Sequence, residues 1–223
     1  LFDYNYDFSF VFQPSTLRAL WAGLLVTLNV AFWSIVFSFI LGAFLGLLRF
    51  TKLRFFSRLA TIYIETIRNL PLLMIILFVY FYIPNIGFLR LSIGSSVILS
   101  MTIFTSALVA EIVRSGLNSV PAGQMEAALA QGMTYTQALR LVVIPQSFRN
   151  IIPPLVSQFV SLIKDTTLGV AISLPELLHN AQQLYNIKFA AQIPLLLTVT
   201  LIYVVINYTL SLLGRHLERR LQG

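Results

Sequence analysis

Glu65 and Arg68, and again Glu111 and Arg114, place a carboxylate three residues before a guanidinium. On a helix that spacing puts both groups on one face, where they form an ion pair; exchange of partners at a gate is the alternative use of the same residues. Lys164 and Asp165 differ because they are adjacent. A helix points neighbours in different directions, so these two need not neutralise each other, and ionisable groups near a membrane span are functional candidates by default. Either one of them faces a cavity and meets a charged end of a zwitterion, with the Thr166 and Thr167 hydroxyls beside it, or both end a helix at headgroup level. Little else is reactive. The chain shows no Ser/His/Asp or Cys/His arrangement at catalytic spacing and no cluster of metal-ligand residues. Cysteine is absent, which excludes disulfides and thiolate metal sites within the chain. His179, in a polar connector, and His216, beside Arg215 and Arg219, receive no role.

The elements that must position these groups are membrane helices. Of 223 residues, 57% are hydrophobic and 10% charged, and the mean hydropathy is +0.84, far outside soluble averages. A transmembrane helix needs roughly 20 mostly apolar residues. Charge-free runs of that order lie between Arg18 and Arg49, Arg68 and Arg90, Arg90 and Glu111, and Lys188 and Arg215. A fifth region, about 142–169, carries Arg149, Lys164 and the Pro153-Pro154 pair. It is expected to be a short helix, tilted or broken near Pro153. The reading is an all-α integral membrane protein of about five transmembrane helices, one domain over 1–223.

Basic residues set the orientation. Arg49, Lys52, Arg54 and Arg58 fill the first loop; Arg114, Arg140 and Arg149 bracket the third; Arg215, Arg219 and Arg220 close the chain. By the positive-inside rule these face the cytoplasm, with the N-terminus outside and the C-terminus inside. The formal net charge of +7 is thus a topology signal. Basic residues spread along membrane boundaries do not form a nucleic-acid surface. The opening LFDYNYDFSFVF is acidic and aromatic, unlike a cleavable signal, and reads as an interfacial lead-in. Segment 174–188 reads as an external helical cap.

One stretch, 119–145, is too polar for a span: SVPAGQMEAALAQGMTYTQALRLVVIP. Pro121 suits a first helical turn, Gln124 to Gln131 favours helix, and Gly132 stops it. Thr134 and Gln137 have capping-box spacing, so a second helix is expected to start at Tyr135 and run toward Ile144 before Pro145 breaks it. The pair is either a docking knob or an amphipathic hairpin lying on the headgroups.

Glu126-Ala127-Ala128, three residues, Gly132, nine residues, then Val142-Val143-Ile144-Pro145 resembles the EAA loop of ATP-binding-cassette (ABC) importer permeases. Val142 and Ile144 stand where that pattern has Ile and Leu. Glu65-Thr66-Ile67-Arg68-Asn69-Leu70-Pro71-Leu72-Leu73, Ala110-Glu111-Ile112-Val113-Arg114-Ser115-Gly116 and Lys164-Asp165-Thr166-Thr167-Leu168 are similar to three further runs of the polar amino acid uptake permeases. Thr167 replaces a serine of that family's pattern.

The resemblance implies a type I ABC importer permease fold in the bacterial cytoplasmic (inner) membrane, with 115–146 as the cytoplasmic coupling loop. It implies three protein partners: a dimer of cytoplasmic ABC ATPases, a second permease subunit, identical or homologous, and an extracytoplasmic binding protein that delivers an amino acid. ATP and Mg would be held by the ATPase; this chain has no G-x-x-x-x-G-K-[ST] run, needs no cofactor of its own, and is not an enzyme. Glu126, Ala127, Ala128 and Gly132 are then the ATPase-coupling residues, with both alanines packing against the partner. Lys164, Asp165, Thr166 and Thr167 are candidates for the substrate path. The competing reading is an ATP-independent secondary transporter or channel. Such transporters commonly show internal repeats; none is evident, and five spans do not divide into equal halves.

Overall fold

The computed structural model describes residues 6–51, 54–87 and 90–222. Lys52 of the basic first loop, the first five residues of the lead-in and the side chain of Arg220 lie outside the described residues. All regular structure among the described residues is helical. A 3-10 turn, Phe8–Phe12, precedes α1 (Pro14–Phe50), α2 (Arg54–Arg68), α3 (Leu72–Phe81) and α4 (Ile93–Asn118). Two short helices follow, α5 (Ala122–Ala130) and α6 (Tyr135–Ala138), then α7 (Ile144–Asp165), α8 (Leu177–Ile187) and α9 (Gln192–Gln222). Four helical runs are long and apolar enough to cross a membrane: α1, α4, Tyr135–Ile172 and Phe189–His216. The broken pair α2 and α3 makes a fifth candidate.

The prolines act differently from the sequence expectations. The run from Arg68 to Arg90 is not a continuous span. It holds α3, only 10 residues long, or about 15 Å at 1.5 Å per residue. Pro71 is extended (φ −65°, ψ 132°) just before α3, and the chain leaves α3 through a 3-10 turn, Pro84–Ile86, closed by Gly87 at φ 73°. The region expected to be a helix tilted or broken near Pro153 is a helix without the break: the 22-residue α7 runs on with Pro153 and Pro154 inside it. These prolines deprive the carbonyls of Arg149 and Asn150 of their usual donors. Both residues are exposed, and Asn150 and Pro154 line an open groove of about 260 Å³ with Ser115 and Ser119. Freed carbonyls beside such a groove are not sealed in hydrocarbon.

Pro145 does not end the second helix either. Between α6 and α7 the chain makes a π-helical turn, Leu139–Val143, with the Ile144 amide donating to the Leu139 carbonyl. That wider turn makes room where the Pro145 ring would otherwise crowd the carbonyl of Leu141.

The residues group into two compact units, one of residues up to Ile35 with Pro71–Met101 and Ser161–Leu210, the other of Val36–Leu70, Thr102–Val160 and the chain from Ser211. The first is cored by Val11, Leu20, Leu177, Ala181, Leu195 and Val199. The second is cored by Val109, Val113, Leu117, Leu139, Val143 and Ile151. In the second unit α1 and α4 nearly touch. A Cβ at Gly42 would stand 2.6 Å from Val109 Cβ, and one at Gly46 2.5 Å from the Ala110 carbonyl oxygen. Without a hydrophobic force between helices in lipid, this small-xxx-small approach supplies the packing.

Candidate functional site

Three places carry the sequence-expected residues. The first is the hairpin of α5 and α6. Pro121 is the N-cap of α5 (φ −55°, ψ 133°), one position outside the first turn where it was expected. The helix ends in a Schellman turn: Gly132, at φ 86°, donates its amide to the Leu129 carbonyl at 3.0 Å, and Met133 to Ala128 at 3.2 Å. A Cβ on Gly132 would meet nothing within 4 Å, so inside this chain the glycine is required by φ alone. The expected capping box is complete. The Gln137 amide donates to the Thr134 hydroxyl at 3.3 Å, and the Thr134 amide to Gln137 Oε1 at 2.8 Å. Such caps contribute about 1 kcal/mol.

The hairpin sorts its residues by face. Ala128 is 4% exposed, so it packs within its own subunit rather than against a partner, correcting the expectation that both alanines face outward. Glu126, Ala127, Leu129 and Gly132 are exposed. Leu141 and Phe148 are 62% and 47% exposed farther along. The hairpin rests on the core of the second unit through Met125, Tyr135 and Leu139. Gln146 donates to Gln124 at 3.3 Å, and Asn150 to the Ser119 hydroxyl at 2.6 Å.

The second place is an ion cluster at the ends of α1, α2 and α4. Glu111 and Arg114 form the expected pair, with Arg114 Nε 3.2 Å from both carboxylate oxygens. Glu65 and Arg68 do not pair with each other, contrary to the i, i+3 expectation. Arg49 takes Glu65 at 2.8 Å and Glu111 at 2.7 Å, and Arg68 stands 3.7 Å from Glu111. The reason is reach: Arg49, in the last turn of α1, lies between the two carboxylates and binds both with one guanidinium. In the sequence Arg49 stands only as a topology signal. Nothing in the local spacing reveals it as a bridge, because its partners lie 16 and 62 residues away.

The third place is the end of α7. Lys164 is exposed and Asp165 half-buried, and neither side chain has a hydrogen bond or close ion pair among the described residues. Thr166 is buried, its hydroxyl donating to the Ile163 carbonyl at 2.7 Å. The Thr167 hydroxyl donates to the Lys164 carbonyl at 2.7 Å. Lys164 and Thr167 line an open groove of about 420 Å³ with Leu178, Thr200, Tyr203 and Asn207, whereas Asp165 and Thr166 are not among its lining residues.

The groove wall is held from behind by groups that sequence reasoning missed. Glu176 is fully buried. It accepts from the Leu178 amide at 2.9 Å, the His179 amide at 2.6 Å and the Tyr203 hydroxyl at 3.0 Å. Nearby, the Thr27 hydroxyl donates to the Gly23 carbonyl at 3.1 Å and accepts from the Leu177 amide at 3.2 Å. Burial raises the Glu176 carboxyl above its ordinary pKa, opposed by the amide hydrogen bonds. The available signal was a glutamate immediately before an amphipathic helix, a capping position. Elsewhere in this unit Asp7 pairs with Lys188, and the Asp7 amide donates to the Ala190 carbonyl at 3.0 Å. That contact pins the lead-in to the connector after α8.

Comparison with known proteins agrees with this architecture. Residues 34–223 match the model of a family described as binding-protein-dependent transport system inner membrane component. The chain is 48% identical over 216 residues to the probable glutamine ABC transporter permease protein GlnP of Bacillus subtilis (strain 168), covering 96% of this chain and 99% of that one. It is 32% identical over 226 residues to the glutamate/aspartate import permease protein GltK of Escherichia coli O157:H7, covering 97% and 99%. A solved structure, an amino acid ABC transporter with histidines, superposes with a TM-score of 0.86 at 30% identity, covering 92% of this chain and 95% of that one. With that family model spanning most of its length, the chain belongs to the binding-protein-dependent transport system inner membrane components, and its fold is that of the type I ABC importer permeases.

Proposed function

We propose that this protein is the permease subunit of an ATP-driven importer of a polar amino acid, and that 115–146 is its coupling segment. The observation that carries the coupling role is the hairpin's construction. Local hydrogen bonds at Gly132 and Thr134 fix its shape, its inner face is held by the chain's own core, and its outer face is left open. In this reading Glu126, Ala127, Leu129 and Gly132 meet a separate ATPase, Glu126 through a basic residue of that partner. Ala128 holds the helix down from inside. The ATPase binds ATP and Mg; a second permease subunit and an extracytoplasmic binding protein complete the assembly. The N-terminus lies outside and the C-terminus inside.

The groove of Lys164, Thr167, Tyr203 and Asn207 is the segment of the substrate path within this subunit. An amino acid offers a carboxylate and an ammonium; Lys164, on the groove lining, meets the carboxylate with no salt bridge to another element to release first, while Asp165 stands next to it in sequence but off the lining. The names of the relatives, glutamine and glutamate/aspartate permeases, support a substrate of that polar class.

The test compares ATPase activity and uptake of the reconstituted complex in wild type and Gly132→Asp. An aspartate at φ 86° strains the turn by roughly 1–2 kcal/mol and adds charge to the open face. Loss of substrate-stimulated hydrolysis with the ATPase still co-purifying supports the reading. Unchanged stimulation and uptake would sink it.

A further inference from the structure

Helix α2 is set in one rotation by its inner face. Ala60 and Ile64 are 3% and 0% exposed. The Tyr63 hydroxyl donates to the Ile103 carbonyl at 2.9 Å and contacts Ser106. At the helix start, the Ser57 hydroxyl donates to the Arg49 carbonyl at 3.2 Å, which ties α2 to the end of α1. The outer face then has two sectors. Phe55, Phe56, Leu59 and Ile62 are each at least half exposed, at the spacing of one helical stripe. Beside them stand Arg54 and Arg58, four residues apart and exposed.

These two arginines differ from the others nearby. Arg49, Arg68 and Arg114 each hold a carboxylate, whereas Arg54 and Arg58 have no ion pair among the described residues. The nearest acid on the same helix, Glu65, is engaged by Arg49. The outer face of α2 is therefore apolar on one side and carries uncompensated positive charge on the other. It begins a few residues after a membrane-crossing helix ends at Phe50.

We propose that α2 is a lipid-reading helix: Arg54 and Arg58 bind the phosphates of anionic phospholipids, and Phe55, Phe56, Leu59 and Ile62 enter the boundary of the acyl chains. A guanidinium matches a phosphate with two parallel hydrogen bonds, and the arginine stems lie along apolar surface while their heads reach the charged layer. A zwitterionic headgroup cancels its own phosphate charge, so the attraction selects anionic lipid. A lipid partner fits both sectors at once. Charge complementarity accounts for the arginines, and continuity with the end of α1 places the apolar stripe at the membrane boundary. The inference does not depend on which solute is transported.

The test uses the intact complex, with its ATPase, in nanodiscs of phosphatidylcholine alone or with phosphatidylglycerol. Native mass spectrometry after detergent extraction reads the retained lipid. Each arginine near an anionic surface is worth about fivefold in partition. The double variant Arg54→Gln/Arg58→Gln is therefore expected to lose most of the preference for phosphatidylglycerol, roughly 25-fold if the two add. Should that variant fail to assemble, Phe56→Trp in a Trp21→Phe/Trp33→Phe background, which removes the two exposed tryptophans of α1, gives an independent reading: phosphatidylglycerol brominated on acyl carbons close to the headgroup should add quenching over that background, and no added quenching would overturn the proposal. Three further outcomes overturn it. One is an unchanged lipid preference in the double variant. The second is displacement of retained lipid by glycerol phosphate alone, which would show a site for free phosphate. The third is photo-crosslinking from position 55 or 59 to a partner polypeptide instead of lipid.

Discussion

The ion cluster around Glu111 and the groove beside Lys164 use the same kinds of groups in opposite ways. In the cluster every charge meets its opposite: Arg49 spans two carboxylates, and Glu111 receives three guanidinium groups. At the end of α7 a lysine and a half-buried aspartate make no salt bridge or side-chain hydrogen bond to another element among the described residues, while neighbouring hydroxyls are spent on backbone carbonyls. Charges that satisfy one another hold helix ends together, and charges left open have something to offer a solute. The difference separates residues that build the permease from residues that can act in it.

The largest expected effect breaks the compensated side. Glu111→Gln leaves Arg49, Arg68 and Arg114 facing one another. Because Glu111 is 24% exposed, the cost should be roughly 2–3 kcal/mol, below the range for a fully buried pair. Thermal unfolding of the detergent-purified complex should show it as a clear drop in midpoint. Next, Lys164→Gln should raise the KM for uptake about tenfold, or about 1.4 kcal/mol, and Asp165→Asn, one residue off the groove lining, should raise it less, with the unfolding midpoint nearly unchanged in both. A large loss of stability in either variant would erase the contrast between the cluster and the groove. A smaller effect is expected at Arg68. Its guanidinium is 3.7 Å from Glu111 and 38% exposed, so Arg68→Gln should cost under about 1 kcal/mol, measured in the same unfolding experiment.

The smallest effect concerns pH. The hydrogen bond from Lys188 holds the Asp7 carboxyl at about 2, below its ordinary 3.8, with help from Ser9. The folded value is the lower one, so this contact contributes its full stability above about pH 3.8 and loses it as pH falls through about 2. Limited proteolysis near residue 7 should rise only in that acid window. Lys188→Gln should weaken the pH dependence and leave the smaller part due to Ser9.

Local features were legible in the sequence. The charge-free runs located α1, α4 and α9, and the glycine stop and capping box located the hairpin, because each depends on residues close along the chain. Partners across elements were not legible. The spacing of Glu65 and Arg68 is compatible with a pair, yet Arg49 outcompetes Arg68 from another helix. Prolines misled for the same reason. Pro71 breaks a run that composition alone marked as sound, while Pro153 and Pro154 are absorbed, and what decides is the surroundings of the freed carbonyls. In the groove, Glu176 and Tyr203 were missed since their importance arises only where α8 and α9 bring them together.

Gly132 separates two constraints that usually travel together. Its conformation belongs to the mirror-image region of backbone space, and no neighbour in this chain fills the place a side chain would take. Handedness, and not size, is what the chain itself demands at this position. A D-alanine introduced there by chemical ligation would satisfy the turn while adding a methyl group to the surface. Any defect it caused would then belong to whatever approaches that surface, and not to the folding of the hairpin.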